Sequence, residues 1–166
     1  MESRLLDLRA RTVATLETHR WLPLLLLRIT MAAVFVPSGW GKLHNLDGVT
    51  NYFTSLHIPM PHFNAILAAS TEFVGGLLIL LGLFTRLISI PLIVTMIVAL
   101  ITAKLHGDDY AQASGAYEKL TTFLAFDEWV YIPIFLTLIF VGPGVASLDA
   151  LIAKKLEEQR GRAQRT

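Results

Sequence analysis

The stretch from Phe63 to Arg86 is long enough to cross a bilayer as an α-helix, and an acidic residue, Glu72, lies near its middle. Five positions that lie three, four or seven residues from Glu72, and so share its helix face, are small: they are Ala65, Ala68, Ala69, Gly75 and Gly76. A carboxylate facing lipid would cost several kcal/mol, so this face is expected to meet a neighbouring helix or a pocket. The sequence therefore predicts a membrane protein organised around Glu72.

The composition agrees with a multi-pass membrane protein. Apolar residues make up 54% of the 166 residues, charged residues 16%, and the mean hydropathy is +0.56, which is too hydrophobic for an ordinary soluble domain. The absence of cysteine excludes thiol redox chemistry and iron–sulfur ligation by this chain. The basic residues flank the apolar segments, which bears on membrane topology, and we expect no nucleic-acid partner.

The N-terminal half predicts a surface helix followed by a first span. Residues 1–20 have the spacing of an amphipathic helix on the membrane surface, with Leu5, Leu8 and Leu16 on its apolar side. The next apolar run is interrupted by Arg28, which argues against a cleaved signal peptide, so we predict a retained transmembrane helix from Trp21 to Gly41.

The middle of the chain predicts an interfacial helix and two further spans. Apolar residues at helical spacing from Leu46 to Leu56 predict the interfacial helix, and Pro59 and Pro61 then turn the chain into the second span. A tight turn at Thr85-Arg86 leads into a third span from Leu87 to Ala103, antiparallel to the second.

The last span has an ambiguous boundary. The apolar run from Trp129 to Val141 would reach only about 20 Å, so the span either starts near Leu120 or continues past Gly142-Pro143-Gly144. A start near Leu120 would draw Asp127 and Glu128 towards the membrane interior; the alternative is an interfacial or re-entrant helix with both carboxylates at the water line.

The predicted fold is an all-α membrane protein: a four-transmembrane-helix bundle with an interfacial helix between helices 1 and 2. It comprises an amphipathic helix (1–20), the membrane domain (21–149) and a basic tail (150–166). The positive-inside rule places both termini in the cytoplasm. The basic residues assigned to the cytoplasmic side are Arg4, Arg9, Arg11, Arg20, Arg86, Lys154, Lys155, Arg160, Arg162 and Arg165, and those assigned to the other side are Lys42, Lys104 and Lys119.

Two buried charges are candidates for a functional pair. Arg28 enters the membrane from the N-terminal side and Glu72 from the other side, and both reach a comparable depth, so we predict that they pair and line a polar pocket. The alternative is that this ion pair only fixes the register of the two helices.

Several short motifs between Arg28 and Asp149 resemble the DoxX family of small four-helix bacterial membrane proteins. They are Gly39-Trp40-Gly41-Lys42-Leu43, Ile58 to Pro61, Glu72 to Gly76, Gly82 to Arg86, His106, Gly115 to Glu118, Gly142 to Gly144 and Ser147 to Asp149. The insertion Asp127-Glu128-Trp129 departs from the common pattern. The resemblance implies a bacterial inner-membrane protein and, from the associations of the family, quinone-linked sulfur oxidation, a redox-stress complex or a maturation system.

A quinone is the cofactor that best suits these residues. No haem or iron–sulfur ligand set is evident, so electrons would come from, or pass to, a protein partner, while Arg28 or Lys42 binds a quinone carbonyl and Glu72 relays protons. We expect a pocket opening towards the extracytoplasmic half, next to the Ile58–His62 segment. The predicted catalytic residues are Glu72 and Arg28, and the predicted cofactor-binding residues are Lys42, Trp40, Gly75, Gly76, His62 and His106.

Two other functions stay open at this point. The chain could be a non-catalytic membrane anchor for an extracytoplasmic or peripheral enzyme, which leaves enzymatic activity of its own uncertain and a homodimer open. It could also be a transport or metal-handling component using its outward histidines, although their spacing predicts no metal site.

Overall fold

The computed structural model describes residues 2–163, without the side chains of residues 2, 3, 5–8, 10 and 11. Its helices are α1 (Glu2–Thr18), α2 (Trp21–His44), α3 (Leu46–Ser55), α4 (Pro61–Leu81), α5 (Thr85–Ala99), α6 (Asp108–Ala111), α7 (Ala116–Leu124), α8 (Asp127–Val141) and α9 (Leu148–Ala163). A π-helical turn, Leu100–Lys104, extends α5. The described residues contain no strand, so the predicted all-α class is confirmed.

Three helices are long and apolar enough to cross a membrane: α2, α4 and α5 with its π-helical turn. A fourth crossing is formed if α7 and α8 act as one broken span, since the two meet at an angle of 56°. The all-α membrane fold is therefore confirmed, and α3 matches the predicted interfacial helix within one residue. We call the end of the bundle that carries α1 and α9 the terminal end, and the end that carries α3 and α6 the loop end.

Helix α8 is too short to cross the membrane by itself. Helix α8 has 15 residues and spans about 22 Å, short of the roughly 30 Å hydrocarbon core, and it ends at Val141 before the Gly-Pro-Gly segment. If α7 and α8 form one broken span, the additional length comes from α7, on the other side of a break before Asp127; the same bend also fits a re-entrant loop. The alternative in which the span continues past Gly142 is therefore wrong.

The turn between α4 and α5 lies earlier than predicted. Thr85 and Arg86 belong to α5, and the turn itself is Gly82 to Phe84, with Gly82 at φ 65° and Phe84 at φ 49°. The cause is a carboxylate from beyond α8: Asp149 accepts hydrogen bonds from the backbone N–H groups of Phe84 (2.9 Å) and Thr85 (3.1 Å). These bonds satisfy free amides at the start of α5 and so set its first residue.

Helix α2 packs along α4, α5 packs along α8, and α4 joins the two pairs. Their shared core lies between all four helices and consists of Met31, Phe35, Ile79, Leu92, Met96, Phe135 and Leu138. Phe35 meets Phe135 and Tyr131 edge to face, at ring distances of 5.2 and 5.5 Å. Most other apolar side chains on these helices face outwards, as the lipid-facing surface of a bundle requires.

Helix α1 occupies the predicted surface-helix segment. Its exposed residues include Leu16, which lies on the side predicted to be apolar. The predictions for the side chains of Leu5 and Leu8 lie outside the described residues.

Helices α2 and α4 lie very close together at Gly39. A Cβ atom built on Gly39 would lie 2.3 Å from the backbone nitrogen of Phe73 and 2.8 Å from the carbonyl oxygen of Ala69. Because these are backbone atoms, they cannot move aside without separating the helices. Gly39 therefore lets α2 and α4 touch along their backbones, which is how small residues drive helix association in membranes.

We expect Gly39→Ala to lower the free energy of unfolding by about 1–3 kcal/mol, because the added methyl group forces the backbones of α2 and α4 apart. The matched control is Gly41→Ala in the same helix, where a Cβ would meet nothing within 4 Å. That control should be neutral or stabilising by up to about 1 kcal/mol through helix propensity. Detergent-mixture unfolding followed by circular dichroism measures both, and equal stabilities would contradict this helix packing.

Candidate functional site

Glu72 lies near the middle of α4 with only 3% of its surface exposed. Two residues one turn apart on α2 satisfy its carboxylate: the Ser38 hydroxyl donates to Oε2 at 2.8 Å and the Lys42 ammonium donates to Oε1 at 2.5 Å. Each carboxylate oxygen thus has its own donor, and the negative charge is paired with a positive one. Burial in a membrane requires this, since an unpaired carboxylate there is costly.

The site is buried on the carboxylate side and accessible on the ammonium side. The Lys42 side chain is 35% exposed, whereas that of Glu72 is 4% exposed. Beside them, the half-exposed Trp40 ring lies 5.3 Å from Phe73 and 4.1 Å from the His44 ring. Lys42 therefore connects a buried carboxylate to the surface at the loop end, an arrangement that can carry a proton between the two.

The structure pairs Arg28 and Glu72 with other groups, so the predicted pair between them is wrong. Arg28 donates to the carbonyl oxygens of Ile79 (2.8 Å), Leu80 (2.6 Å), Ala146 (2.6 Å) and Pro143 (3.1 Å). Ile79 lies two turns after Glu72, about 10 Å further along the helix axis. The last carbonyls of α4 attract the guanidinium because they carry the negative end of the helix dipole. The Ile79 carbonyl also accepts from the Gly82 N–H at 3.1 Å.

Arg28 is the centre of a cluster at the terminal end. A Cβ built on Gly82 would lie 2.6 Å from an Arg28 nitrogen and 2.5 Å from the Ser147 Cβ, so only glycine fits between them. Asp149 binds the start of α5 and donates its own N–H to the Gly82 carbonyl at 3.0 Å. The residues around Arg28 in this cluster come from the motifs Gly82–Arg86, Gly142–Gly144 and Ser147–Asp149. Their contacts connect α2, α4, α5 and the end of α8.

The small residues around Glu72 do not leave an open groove. A Cβ on Gly75 would lie 3.1 Å from Leu92 of α5, and one on Gly76 would lie 2.9 Å from Val36 of α2. Neighbouring helices thus fill the face that the sequence suggested was free for a cofactor. Gly75 and Gly76 serve helix packing, as small residues in membrane helices commonly do.

The predicted histidines have local partners. His62 hydrogen-bonds with the Thr50 hydroxyl at 3.2 Å, and His106 with the Ile101 carbonyl at 2.8 Å. Neither is joined to the Glu72 carboxylate, whose partners are Ser38 and Lys42. Within residues 2–163, as far as their side chains are described, no three His, Asp or Glu side chains group closely enough to hold a metal ion.

The two cavities that the structure describes lie away from the position predicted for the pocket. A cavity of about 980 Å³ lies at the terminal end, between the end of α1, the starts of α2 and α5, and the α8–α9 connection. The prediction placed the free volume between Glu72 and the loop end. It failed because the groove of small residues is filled by packing, while the residues after Val141 leave the terminal end open.

Two site features were missed in the sequence. Ser38 precedes Lys42 by one helical turn, and that i, i+4 spacing was the signal that both would face the same carboxylate. Glu128, at the start of α8, lies 3.6 Å from Lys104 at the end of the π-helical turn. One of its carboxylate oxygens is buried without a hydrogen-bond partner in the described part of the chain. Asp127, by contrast, is exposed.

Comparison with known proteins agrees with the motifs. The DoxX family model matches residues 23–105. The chain belongs to the DoxX family. Its relatives include the "Inner membrane protein YphA" of Escherichia coli, 34% identical over 131 residues (76% of this chain and 87% of that protein), and the "Inner membrane protein YqjF" of the same organism, 32% identical over 131 residues (79% and 92%).

Another relative is the "Putative oxidoreductase CatD" of Bacillus subtilis, 33% identical over 117 residues, which cover 64% of this chain and 86% of that protein. No solved structure matches the chain significantly. Together with the apolar spans, the relatives identify this DoxX protein as a multi-pass protein of the inner membrane.

Double-mutant cycles test the partners of Glu72. We expect Lys42→Met and Glu72→Gln to couple by about 1–3 kcal/mol in unfolding free energy, between the values for exposed and fully buried ion pairs. The control cycle, Arg28→Met with Glu72→Gln, should be additive within about 0.5 kcal/mol because the two share no contact. A larger coupling energy in the Arg28 cycle than in the Lys42 cycle would support the predicted Arg28–Glu72 pair and contradict the Lys42–Glu72 site.

Proposed function

We propose that this DoxX protein is the membrane subunit of a redox system, and that Lys42, Glu72 and Ser38 exchange protons with a membrane quinone at the loop-end half of the bundle. The observation that carries the proposal is the ion pair between a buried carboxylate and a partly exposed ammonium inside the spans. Quinone reduction takes up protons as well as electrons, and a protein partner would supply the electrons.

The residues fit the head group of a quinone. The exposed part of Lys42 provides a cationic N–H donor for a quinone carbonyl, which a neutral acceptor needs in a membrane. Glu72, once it is released from Lys42, is the neighbouring group that accepts or gives up a proton, and Ser38 holds its second oxygen in place. The half-exposed Trp40 and its neighbour Phe73 offer an aromatic surface beside the pair.

The name of one relative supports a redox role, and the geometry of the Lys42–Glu72 ion pair supports the position of the site. A relative from Bacillus subtilis bears the name "Putative oxidoreductase CatD". Ion pairs inside membrane spans generally mark functional positions, because their burial is costly. Arg28 has a positioning role in this proposal, since its guanidinium donates four hydrogen bonds to backbone carbonyls of the terminal-end cluster.

We further infer that both termini lie in the cytoplasm, which makes the Lys42–Glu72 site open towards the extracytoplasmic side. The support is the placement of Arg20, Arg86 and the basic residues of α9 at the terminal end, opposite Lys42 and Lys104. A green fluorescent protein fused after Thr166 should be fluorescent, and alkaline phosphatase fused after Gly107 should be active. The reverse pattern would place the site on the cytoplasmic side.

A tryptophan quenching experiment tests the quinone site. The chain has three tryptophans, and Trp21→Phe with Trp129→Phe leaves Trp40 beside the Lys42–Glu72 pair. We expect a short-chain ubiquinone analogue to quench Trp40 saturably in detergent micelles. Glu72→Gln or Lys42→Met should weaken the binding about tenfold or more, the usual effect of losing a charge-assisted hydrogen bond.

The control chain retains Trp21 instead, at the terminal end, through Trp40→Phe with Trp129→Phe. Linear, unsaturable quenching of Trp21 is expected there. Saturable quenching of Trp21 alone would move the quinone to the terminal-end cavity, and linear quenching of both tryptophans would favour a non-catalytic anchor.

A further inference from the structure

The terminal-end cavity lies where a membrane surface would cross the bundle. Its walls come from Trp21 at the start of α2, Arg86 in the first turn of α5, and Val141 and Pro143 at the end of α8. All of these positions are ends of candidate spans. The cavity, of about 980 Å³, is therefore at the level of lipid head groups, and Trp21 is of the residue type that prefers this level.

The rim of the cavity carries cationic side chains that are available to a ligand. Arg20 and Arg86 both line it and are exposed, and within the described part of the chain neither guanidinium has a hydrogen bond or an ion pair. Two acidic residues also line it. Asp149 keeps its negative charge, but it accepts from the N–H groups of Phe84 and Thr85 and interacts electrostatically with the buried Arg28. Arg20 and Arg86 therefore face one further carboxylate, that of Glu17.

An apolar groove continues from the cavity into the membrane region. A second cavity of about 320 Å³ lies between α4 and α5 and is lined only by apolar residues: Leu78, Phe84, Leu87, Ile88, Ile90 and Pro91. It shares Phe84 and Leu87 with the first cavity. From Thr85 to Pro91 the helix advances about 9 Å into the span, so the groove has the direction of a lipid chain.

We propose that these two cavities form a binding site for one anionic phospholipid, with its phosphate at Arg20 and Arg86 and an acyl chain in the groove of Phe84 and Leu87. Guanidinium groups bind phosphate oxygens in a fixed bidentate geometry. The negative charge of the phosphodiester would pair with the guanidinium groups of Arg20 and Arg86. A quinone matches this site poorly because its head group is neutral. The site is separate from the Lys42–Glu72 pair and does not depend on the role proposed for that pair.

Brominated lipids provide a direct probe. The full-length chain with Trp40→Phe and Trp129→Phe, which retains Trp21 in the cavity wall, is reconstituted in vesicles of phosphatidylcholine and phosphatidylglycerol, with one or the other brominated on its acyl chains. We expect phosphatidylglycerol to quench Trp21 with a relative binding constant at least about tenfold above that of phosphatidylcholine, since each basic residue near an anionic lipid surface contributes about fivefold. No preference in this chain would overturn the proposal before any arginine is changed.

The variant Arg20→Gln with Arg86→Gln should abolish the preference for phosphatidylglycerol. The matched control, Arg160→Gln with Arg162→Gln on the exposed helix α9, removes the same charge and should retain it. An equal loss in both double variants would mean general surface attraction and would reject a defined site.

Competition separates the lipid from other ligands. Excess soluble glycerol phosphate and a short-chain quinone should both leave the quenching by brominated phosphatidylglycerol unchanged. Displacement by glycerol phosphate would show a site for soluble phosphates, and displacement by the quinone would show a quinone site; either result would overturn the phospholipid assignment.

Discussion

Charge buried at membrane depth is the constraint on which this fold depends. Among the side chains that the structure describes, two charged ones lie almost completely inside the bundle, those of Arg28 and Glu72, and each is satisfied differently. Arg28 donates to backbone carbonyls at the end of α4 and after the end of α8. Glu72 uses the side chains of Ser38 and Lys42. The bonds of Arg28 connect α2, the end of α4 and the segment after α8. Those of Glu72 form an ion pair of which one member, Lys42, is partly exposed.

The two solutions require α2 to lie very close to α4. Ser38 and Lys42 of α2 both donate to Glu72. Gly39 lies between them in sequence, where the backbones of α2 and α4 are very close. A larger residue there would move both donors away from the carboxylate. Helix packing and the geometry of the ion pair are therefore one property of this interface, and the small residues near Glu72 act by positioning its partners.

The sequence was sufficient for the class of fold because hydropathy and helix length respond directly to the bilayer. The start of α2, the helix between the first two spans and the burial of Glu72 were predictable in this way. The pairing of Arg28 was not, because its acceptors are backbone carbonyls of Ile79, Leu80, Pro143 and Ala146, which have no signature in side-chain patterns. Small residues mark a close approach, but a sequence does not state whether Leu92 or a ligand fills it. The start of α5 similarly depends on Asp149, far along the chain.

The contacts of Asp149 also bear on the order in which the protein assembles during synthesis. Asp149 binds the amides that begin α5, and Pro143 and Ala146 accept from Arg28. All three follow the last span, so α2, α4 and α5 reach the membrane while Arg28 and the start of α5 still lack these partners. The bundle closes only when the ribosome has completed the segment after α8, and a chain interrupted before that point leaves a buried cation incompletely satisfied. In such a fragment Arg28 retains only its two acceptors at the end of α4, the carbonyl oxygens of Ile79 and Leu80.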